Sequence, residues 1–401
     1  MRSLWVLITL SSVLAAPLTA AAQRDGATPE SEPAPAPSYG VGPAADADAA
    51  DDPPETEPSD DKGDDEDDDR PRFGWAVLPG AWFSTDRGLG LSASALFHLP
   101  IAGTRKKPSE LGFVGIFTTR GDNVLRIAPT LRLVEYGYQI EGRLELGKRG
   151  GSYFGMGNDT SADDEESYEF NRYLAEGSIS RRWGQLLYLG FGWDASWATA
   201  FDVDEGGALA REEVLGTDGG AIIGLGLIAR IDTRDRSYGP SSGMLLEASA
   251  DIYNHRLGSR YDFGQAQVNA RVYAALRPRH IIAAQFRAAA TTGEVPFRRL
   301  PSLGSASLLR GIASGRFRDS HFVAAQLEYR TPFWWRLGAV VFAATGRVGS
   351  SLRALAEPTW RTAGGAGVRF ALKRADHIHL RADAGFTADG YQIYINLREA
   401  F

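Results

Sequence analysis

The chain has 401 residues and a net charge of −7, with no cysteine, 46 glycines and 10% aromatic residues. The absence of cysteine excludes disulfides, thiolate metal ligands and a lipid-bearing N-terminal cysteine. Glycine and aromatic residues in these amounts, without a long apolar helical period, favour many short strands joined by tight turns.

The N-terminus has the pattern of a secretory signal peptide. Arg2 precedes an apolar run over residues 4–18, and alanines at 20–22 follow at the spacing of a cleavage site. We therefore assign residues 1–22 to a signal peptide. Beyond them, no continuous apolar run reaches the roughly 18 residues that a spanning helix requires, so a membrane location requires strands.

Residues 23–72 form an acidic segment rich in alanine and proline. Within residues 24–72, 17 acidic and 4 basic residues give a net charge of −13, which leaves +5 for residues 73–401 once Arg2 is set aside. A segment with so little apolar surface is predicted to be a disordered periplasmic arm. It is either a solvated spacer or a tether to a basic partner or to divalent ions, and it is too short and polar for a folded domain.

The last eleven residues alternate between apolar and polar side chains, and the chain ends on an aromatic ring. The apolar positions are Tyr391, Ile393, Ile395, Leu397 and Phe401. Such alternation at the end of a secreted chain predicts a C-terminal targeting strand that closes an outer-membrane barrel. Glu399 falls on the face expected to meet lipid, where it is tolerable only near the membrane interface.

From Phe73 onward, alternating segments recur about every 20 residues, and a barrel strand needs about 9 to 11. The sequence therefore predicts an all-β fold, a single antiparallel transmembrane β-barrel of 16 strands over residues 73–401. The clearer strands cover residues 89–99, 124–134, 138–146, 179–182, 186–197, 221–231 and 244–253. Residues 338–348 alternate poorly.

The lengths of the links between strands sort into two groups. The even-to-odd links are mostly tight, at residues 135–137, 183–185, 277–279 and 373–376. The odd-to-even links include long ones, at residues 147–167, 200–219, 293–319 and 349–360. Outer-membrane barrels have short periplasmic turns and longer external loops, so this sorting places the N-terminus in the periplasm.

Five segments, in order, resemble the bacterial surface antigen superfamily, the 16-stranded barrels that include the assembly factors BamA and TamA and the two-partner secretion transporters. DTRDRSYGPSSG is similar to the family's periplasmic turn motif, and LLRGIASGRF is similar to its sixth-loop motif. The other three are residues 79–99, 153–160 and 326–333. The turn motif falls on Asp232, Arg234, Asp235, Pro240 and Gly243.

The resemblance implies that the sixth loop enters the lumen, with Arg310, Gly311 and Ile312 as its motif. In the family this arginine pairs with acidic groups of the wall, and alternation turns Glu328 inward as its partner. Ala344 stands where the family's next strand has an aspartate, so a second carboxylate is not expected. Arg310 is interpreted as a structural loop anchor, a mobile gate or a plain surface arginine.

The resemblance also implies insertion or translocation of proteins or lipids across the outer membrane, through a weak seam between residues 73–83 and 391–401. The chain lacks the periplasmic POTRA domains of BamA-like proteins, which leaves client capture to a separate partner or to the barrel. The competing hypothesis is a passive pore or structural barrel whose sixth loop plugs the lumen.

No nucleophile elbow is present, so the chain is not predicted to be an enzyme. His377 and His379 share a strand face without a third ligand, so neither a metal site nor a cofactor is predicted. The acidic residues at 163–166 and 202–205 are interpreted either as solvated loop residues or as ligands that bind calcium or bridge lipopolysaccharide through divalent ions. Expected partners are outer-membrane lipids, lipopolysaccharide, the barrel assembly machinery for its own insertion and a possible periplasmic protein, but no nucleic acid.

Overall fold

The computed structural model describes residues 73–85, 88–103, 108–119, 121–133, 136–203, 206–211, 213–236, 239–373, 378–397 and 399–401. The predicted signal peptide and acidic arm lie outside these residues. Within them, no helix has the length and apolar character to cross a membrane.

Sixteen long antiparallel strands close into one barrel, which confirms the predicted fold. They are β1 Gly74–Ser84, β2 Gly88–Gly103, β3 Pro108–Thr118, β4 Asn123–Leu133, β5 Tyr138–Tyr153, β6 Glu166–Trp183, β7 Leu187–Ala198, β9 Gly220–Asp232, β10 Gly243–Tyr253, β11 Phe263–Arg277, β12 His280–Gly293, β15 His321–Trp334, β16 Leu337–Gly349, β17 Arg361–Lys373, β18 Ile378–Thr387 and β19 Gly390–Leu397. The loops add three two-residue strands, β8 Asp202–Val203, β13 Ser302–Leu303 and β14 Phe317–Arg318.

The two faces of the barrel wall differ as the alternation predicts. On β18, the side chains of Arg381 and Asp383 are buried, whereas the ring of Phe386 is 57% exposed. On β15, Glu328 is buried between the outward Leu327 and the half-buried Tyr329. The apolar face is thus directed away from the barrel and the charged face into it, as in membrane barrels.

One hairpin departs from the predicted strand limits. The β5–β6 hairpin continues to Tyr153 and Glu166, so its loop is only 154–165. Its end stays paired because Tyr153 packs edge-on against Phe297, with the ring centroids 5.7 Å apart. The poorly alternating β16 is a regular strand, and its inward Ala344 and Val348 pack in an apolar cluster with Leu303, so both of its faces are largely apolar.

The chain end was predicted wrongly. β19 ends at Leu397, whose side chain lies outside the described part, and the chain then leaves the strand geometry. Glu399 and Phe401 are therefore not on the lipid side: both are buried. The Phe401 ring instead packs near Tyr273, at a centroid distance of 6.4 Å. Tyr391, Ile393 and Ile395 keep the predicted outward face.

The links between strands separate by length, as predicted. At one end of the barrel, the short-link end, strands are joined by residues 184–186, 278–279 and 335–336, and by one longer turn at 233–242. At the other, the long-link end, the links include the long ones at residues 154–165, 199–219, 294–320 and 350–360, beside shorter ones such as 254–262 and 388–389. Residues 294–320, between β12 and β15, are called loop six below.

β1 and β19 close the barrel through a short pairing. Phe83 lies opposite Ile395 and Ser84 opposite Tyr394. β1 pairs with β2, in contrast, along its whole length down to Gly74. The seam is shorter than the predicted pairing of residues 73–83 with 391–401, because β19 stops before it reaches the far half of β1.

Candidate functional site

The centre of the candidate site is Arg310 of loop six, whose side chain is completely buried. Its Nη1 donates to Oδ2 of Asp383 at 2.7 Å, and its Nη2 donates to Glu328. The guanidinium also lies 3.6 Å from the ring centroid of Phe342. A buried guanidinium requires such partners, and charge-assisted hydrogen bonds fix its position.

Asp383 supplies the second carboxylate that the sequence analysis did not expect. Position 344 is indeed alanine, and Ala344 packs in the apolar cluster around loop six. The carboxylate comes instead from β18, since closure of the barrel brings β18 and β15 to the same guanidinium. The alternation already placed Asp383 on the inward face, but it did not indicate which residue Asp383 would meet.

Further ion pairs extend from these carboxylates along the wall. Arg330 Nε donates to Glu328 Oε1 at 2.7 Å, and Arg381 Nη1 donates to Asp383 Oδ2 at 3.0 Å. Arg369 bridges Asp383 to Glu399, the residue that was expected on the lipid face. We call this set the arginine network: Arg310, Glu328, Arg330, Arg369, Arg381, Asp383 and Glu399.

Gly311 allows the main chain of loop six to lie directly on β18. Its φ of +118° is in the left-handed region that favours glycine, and a Cβ at this position would lie 2.9 Å from the carbonyl carbon of Gly385. A Cβ at Gly385 would in turn lie 2.3 Å from the main-chain oxygen of Arg310. The two glycines therefore make a contact that no other residue pair permits.

Ile312 and the neighbouring loop residues form the apolar part of the site. Ile312 is 5% exposed and packs in a cluster of loop and wall side chains. The cluster comprises Leu303, Leu308, Leu309, Ile312, Phe317, Phe322, Ala324, Ala344, Val348 and Ala363. Ile312 thus packs in an apolar surrounding formed by both the loop and the wall.

Tyr394 of β19 is a site residue that the sequence analysis missed. It is fully buried, its hydroxyl accepts a hydrogen bond from the Gly311 amide at 3.3 Å, and it donates to the Ile312 carbonyl at 3.4 Å. The same residue pairs with Ser84 of β1. The alternation of β19 places position 394 on the inward face, but the sequence analysis gave Tyr394 no role.

The predicted turn motif forms a locally hydrogen-bonded turn between β9 and β10. Asp232 accepts two hydrogen bonds from the Arg234 guanidinium, at 2.9 and 2.7 Å. Asp235 accepts from the Ser241 amide at 2.9 Å, next to the buried Pro240. Gly243 has φ +94°, and a Cβ there would lie 2.2 Å from the Thr233 carbonyl oxygen. The motif is separate from the arginine network.

Burial alone raises the pKa of Asp235, yet the net pKa lies below its usual range. The hydrogen bonds from the Ser241 hydroxyl and from the amides of Ser241 and Ser242, with the charge of Arg236, stabilise the carboxylate more than burial destabilises it. The turn therefore depends on an ionised Asp235.

A cavity of about 630 Å³ occupies the part of the barrel interior that faces β1 to β12. Ion pairs lie along its wall: Arg230 bridges Glu141 and Glu247, and Arg299 of loop six binds Asp194 at 2.6 Å. Five arginines and five carboxylates line this cavity, so their charges balance. The cavity is balanced in charge and lies apart from the arginine network.

No group of three metal-ligating side chains occurs in the part of the chain that the structure describes. The Nδ1 of His379 lies 3.0 Å from Oε1 of Glu399, where the carboxylate oxygen accepts a hydrogen bond from the imidazole. His377, its predicted neighbour on the same face, lies outside the described residues.

Comparisons with known proteins support the barrel fold. The model of the Omp85 superfamily domain matches residues 129–381. BamA from Haemophilus ducreyi lacking POTRA domains 1–3 has a similar structure, with a TM-score of 0.58 and 17% identity over 82% of this chain and 71% of that chain. A search of curated proteins returns no match.

Two structures of CdiB are also similar. CdiB from Acinetobacter baumannii has a TM-score of 0.52 and 11% identity over 81% of this chain and 59% of that chain. CdiB from Escherichia coli has a TM-score of 0.59 and 12% identity over 81% of this chain and 63% of that chain. This chain thus spans less than two thirds of either CdiB, and at these identities the likeness shows the fold.

Proposed function

Because this chain belongs to the Omp85 superfamily, we propose that it is an outer-membrane factor for the insertion or translocation of proteins or lipids, and that it works without catalysis. The observation that carries the proposal is the seam. Among the residues that the structure describes, only Phe83 and Ser84 of β1 pair with β19, whereas β1 pairs with β2 throughout. The rest of the outer β1 edge has main-chain groups to offer to an incoming strand.

In this proposal, loop six occupies the lumen and Arg310 anchors it there. The complete burial of Arg310, its two carboxylates on different strands and the Gly311–Gly385 contact support this role. An anchor of this kind keeps loop six beside β19 through Tyr394, close to the seam. Loop six then keeps the wall at β15 and β18 in a fixed shape while the pairing between β1 and β19 opens and closes.

The proposal places the N-terminus and the short-link end in the periplasm. The sorted link lengths support this orientation, because outer-membrane barrels have their short turns on the periplasmic side. The long-link end then meets lipopolysaccharide, and the barrel itself is inserted by the barrel assembly machinery. A separate periplasmic protein delivers clients, since residues 23–72 have the composition of an unfolded arm.

Depletion followed by quantitative proteomics and lipid analysis of the outer membrane tests this function. Loss of the protein is expected to lower the abundance of specific outer-membrane proteins or lipids within a few generations. An outer membrane of unchanged composition after depletion would refute an insertion or translocation role.

A reversible lock on the seam gives a sharper test, since the chain has no cysteine of its own. Phe83→Cys with Ile395→Cys joins facing residues of β1 and β19 by a disulfide. Function is expected to be lost under oxidation and restored by a reductant. The matched control, Ala81→Cys with Leu91→Cys, joins β1 to β2 and leaves function intact. Equal behaviour of the two pairs would remove the seam from the mechanism.

A passive pore or structural barrel remains the second candidate, and the interior cavity of about 630 Å³ favours it. Here loop six acts as a plug. Planar-bilayer recording distinguishes the candidates: Arg310→Ala is expected to enlarge a steady current in a plugged pore. A membrane that stays silent with both proteins argues against a pore.

A further inference from the structure

The short-link end of the barrel carries a cluster of exposed arginines. Arg181 and Arg182 lie at the end of β6, and Arg277 and Arg279 flank the β11–β12 link. All four are exposed. We call these four residues the basic rim. In the described part of the chain, no carboxylate forms an ion pair with any of them.

The rim is one surface, because its two links are near neighbours around the barrel. Only the 233–242 turn lies between them, and each step from one link to the next spans two strands, about 10 Å. That turn neutralises its own charges, since Arg234 pairs with Asp232 and Arg236 pairs with Asp235. Four uncompensated positive charges thus remain on this arc.

The acidic arm is attached at the same end of the barrel. β1 begins at Gly74, whose partner His98 lies near the short-link end of β2, and the arm precedes it directly. Its residues 51–61 contain six carboxylates and no basic residue. The basic rim lies on the side of the barrel opposite β1. The separation is about 30 Å for sixteen strands spaced ~4.8 Å apart and tilted by ~40°.

The length of the arm matches this separation. Roughly ten extended residues cover about 30 Å, so residues before about 63 reach the rim from Phe73. We propose that residues 51–61 dock on the basic rim, which leads the arm across the short-link mouth of the barrel. Because the arm is attached to the barrel, its local concentration at the rim is in the millimolar range, which favours binding of the arm over binding of a free acidic partner. The proposal does not depend on which side of the membrane this end faces.

Cross-linking tests the contact in the full chain, in an uncharged detergent. Ser59→Cys in the arm is combined with Gln185→Cys in the exposed β6–β7 link, beside Arg181 and Arg182. The matched control combines Ser59→Cys with Ser350→Cys, which is exposed at the long-link end. At low salt, the rim pair is expected to form about fivefold more disulfide than the control pair. In 1 M salt, where the Debye length is about 3 Å, the excess disappears.

Two charge variants decide between electrostatic docking and chance proximity. Neutralising residues 51–61 by Asp51→Asn, Asp52→Asn, Glu55→Gln, Glu57→Gln, Asp60→Asn and Asp61→Asn leaves the barrel untouched and should abolish the excess. Neutralising the rim by Arg181→Gln, Arg182→Gln, Arg277→Gln and Arg279→Gln should do the same. Equal yields for rim and control pairs, or an excess that survives the arm variant, would overturn the proposal.

An anionic lipid is the other occupant of such a surface. The same cross-links are therefore repeated in nanodiscs of phosphatidylcholine and in nanodiscs that contain phosphatidylglycerol. A rim excess in phosphatidylcholine supports the arm as occupant. No excess there, together with phosphatidylglycerol binding that depends on the four arginines, would assign the rim to lipid and refute the docking of the arm.

Discussion

The hydroxyl of Tyr394 joins the last strand to loop six, because it accepts a hydrogen bond from the Gly311 amide and donates one to the Ile312 carbonyl. Tyr394 also pairs with β1, opposite Ser84. Loop six and the seam therefore share one residue. A displacement of either one breaks contacts of the other.

Tyr394→Phe is expected to loosen loop six without a change of shape. The substitution keeps the ring but leaves the Gly311 amide and the Ile312 carbonyl buried without this partner, at a cost of about 2 kcal/mol. Urea unfolding of the detergent-solubilised barrel, followed by tryptophan fluorescence, should show a lower midpoint with an unchanged slope. Tyr391→Phe, at a ring that is 61% exposed on the same strand, is the control. Equal midpoints for the two variants would contradict the coupling.

Arg310→Ala and Glu328→Ala should each destabilise the barrel, by about 3 to 5 kcal/mol, because each leaves a buried charge with one partner fewer. The double variant is expected to lose less than the sum of the two, since both substitutions remove one interaction. The measurement is the free energy of unfolding in the four-protein cycle. Arg353→Ala, at an exposed loop arginine, serves as control. Fully additive losses would show that the two side chains do not interact.

Gly385→Ala should displace loop six from β18. The new methyl group would lie 2.3 Å from the Arg310 main-chain oxygen, so the loop or the strand has to move, at about 2 to 3 kcal/mol. Limited proteolysis of loop six and the midpoint of unfolding report the change. Gly364→Ala on β17 is the matched control, because its Cβ would lie 3.6 Å from the nearest atom. If the two alanine variants are equally stable, the close contact is absent.

The turn at Asp235 should weaken in acid. Its pKa is lowered in the folded chain, so its ionised form contributes stability that is fully present above the unfolded pKa, near 4. This contribution is lost as the pH falls through the lower folded value. Asp235→Asn is expected to cost about 1 kcal/mol at pH 7, a difference that shrinks below about pH 4. Unfolding measured from pH 7 to pH 2 for both proteins checks it, and a constant difference would disprove the role of ionisation.

Much of the fold was predictable from local patterns. A period of two assigns each side chain to one face of a strand, which is why the inward Glu328 and Asp383 and the outward Ile393 and Ile395 follow from the sequence. The lengths of the links were also predictable, because each link joins two strands that are neighbours in the sequence. The short links and the long links therefore fall at opposite ends of the barrel. The loop-six motif identified Arg310 by resemblance, without information on its surroundings.

The partners across the barrel were decided by tertiary structure alone. Alternation says that Asp383 points inward, but only the closure of sixteen strands and the path of loop six bring it to Arg310. Tyr394 contacts Gly311 for the same reason. At the chain end, the period of two placed Glu399 on the lipid face, and the structure turns it inward to Arg369. A period of two predicts the face of a side chain only while the backbone remains a strand, and Glu399 lies beyond the end of β19. Its carboxylate is also more stable beside a guanidinium than in lipid.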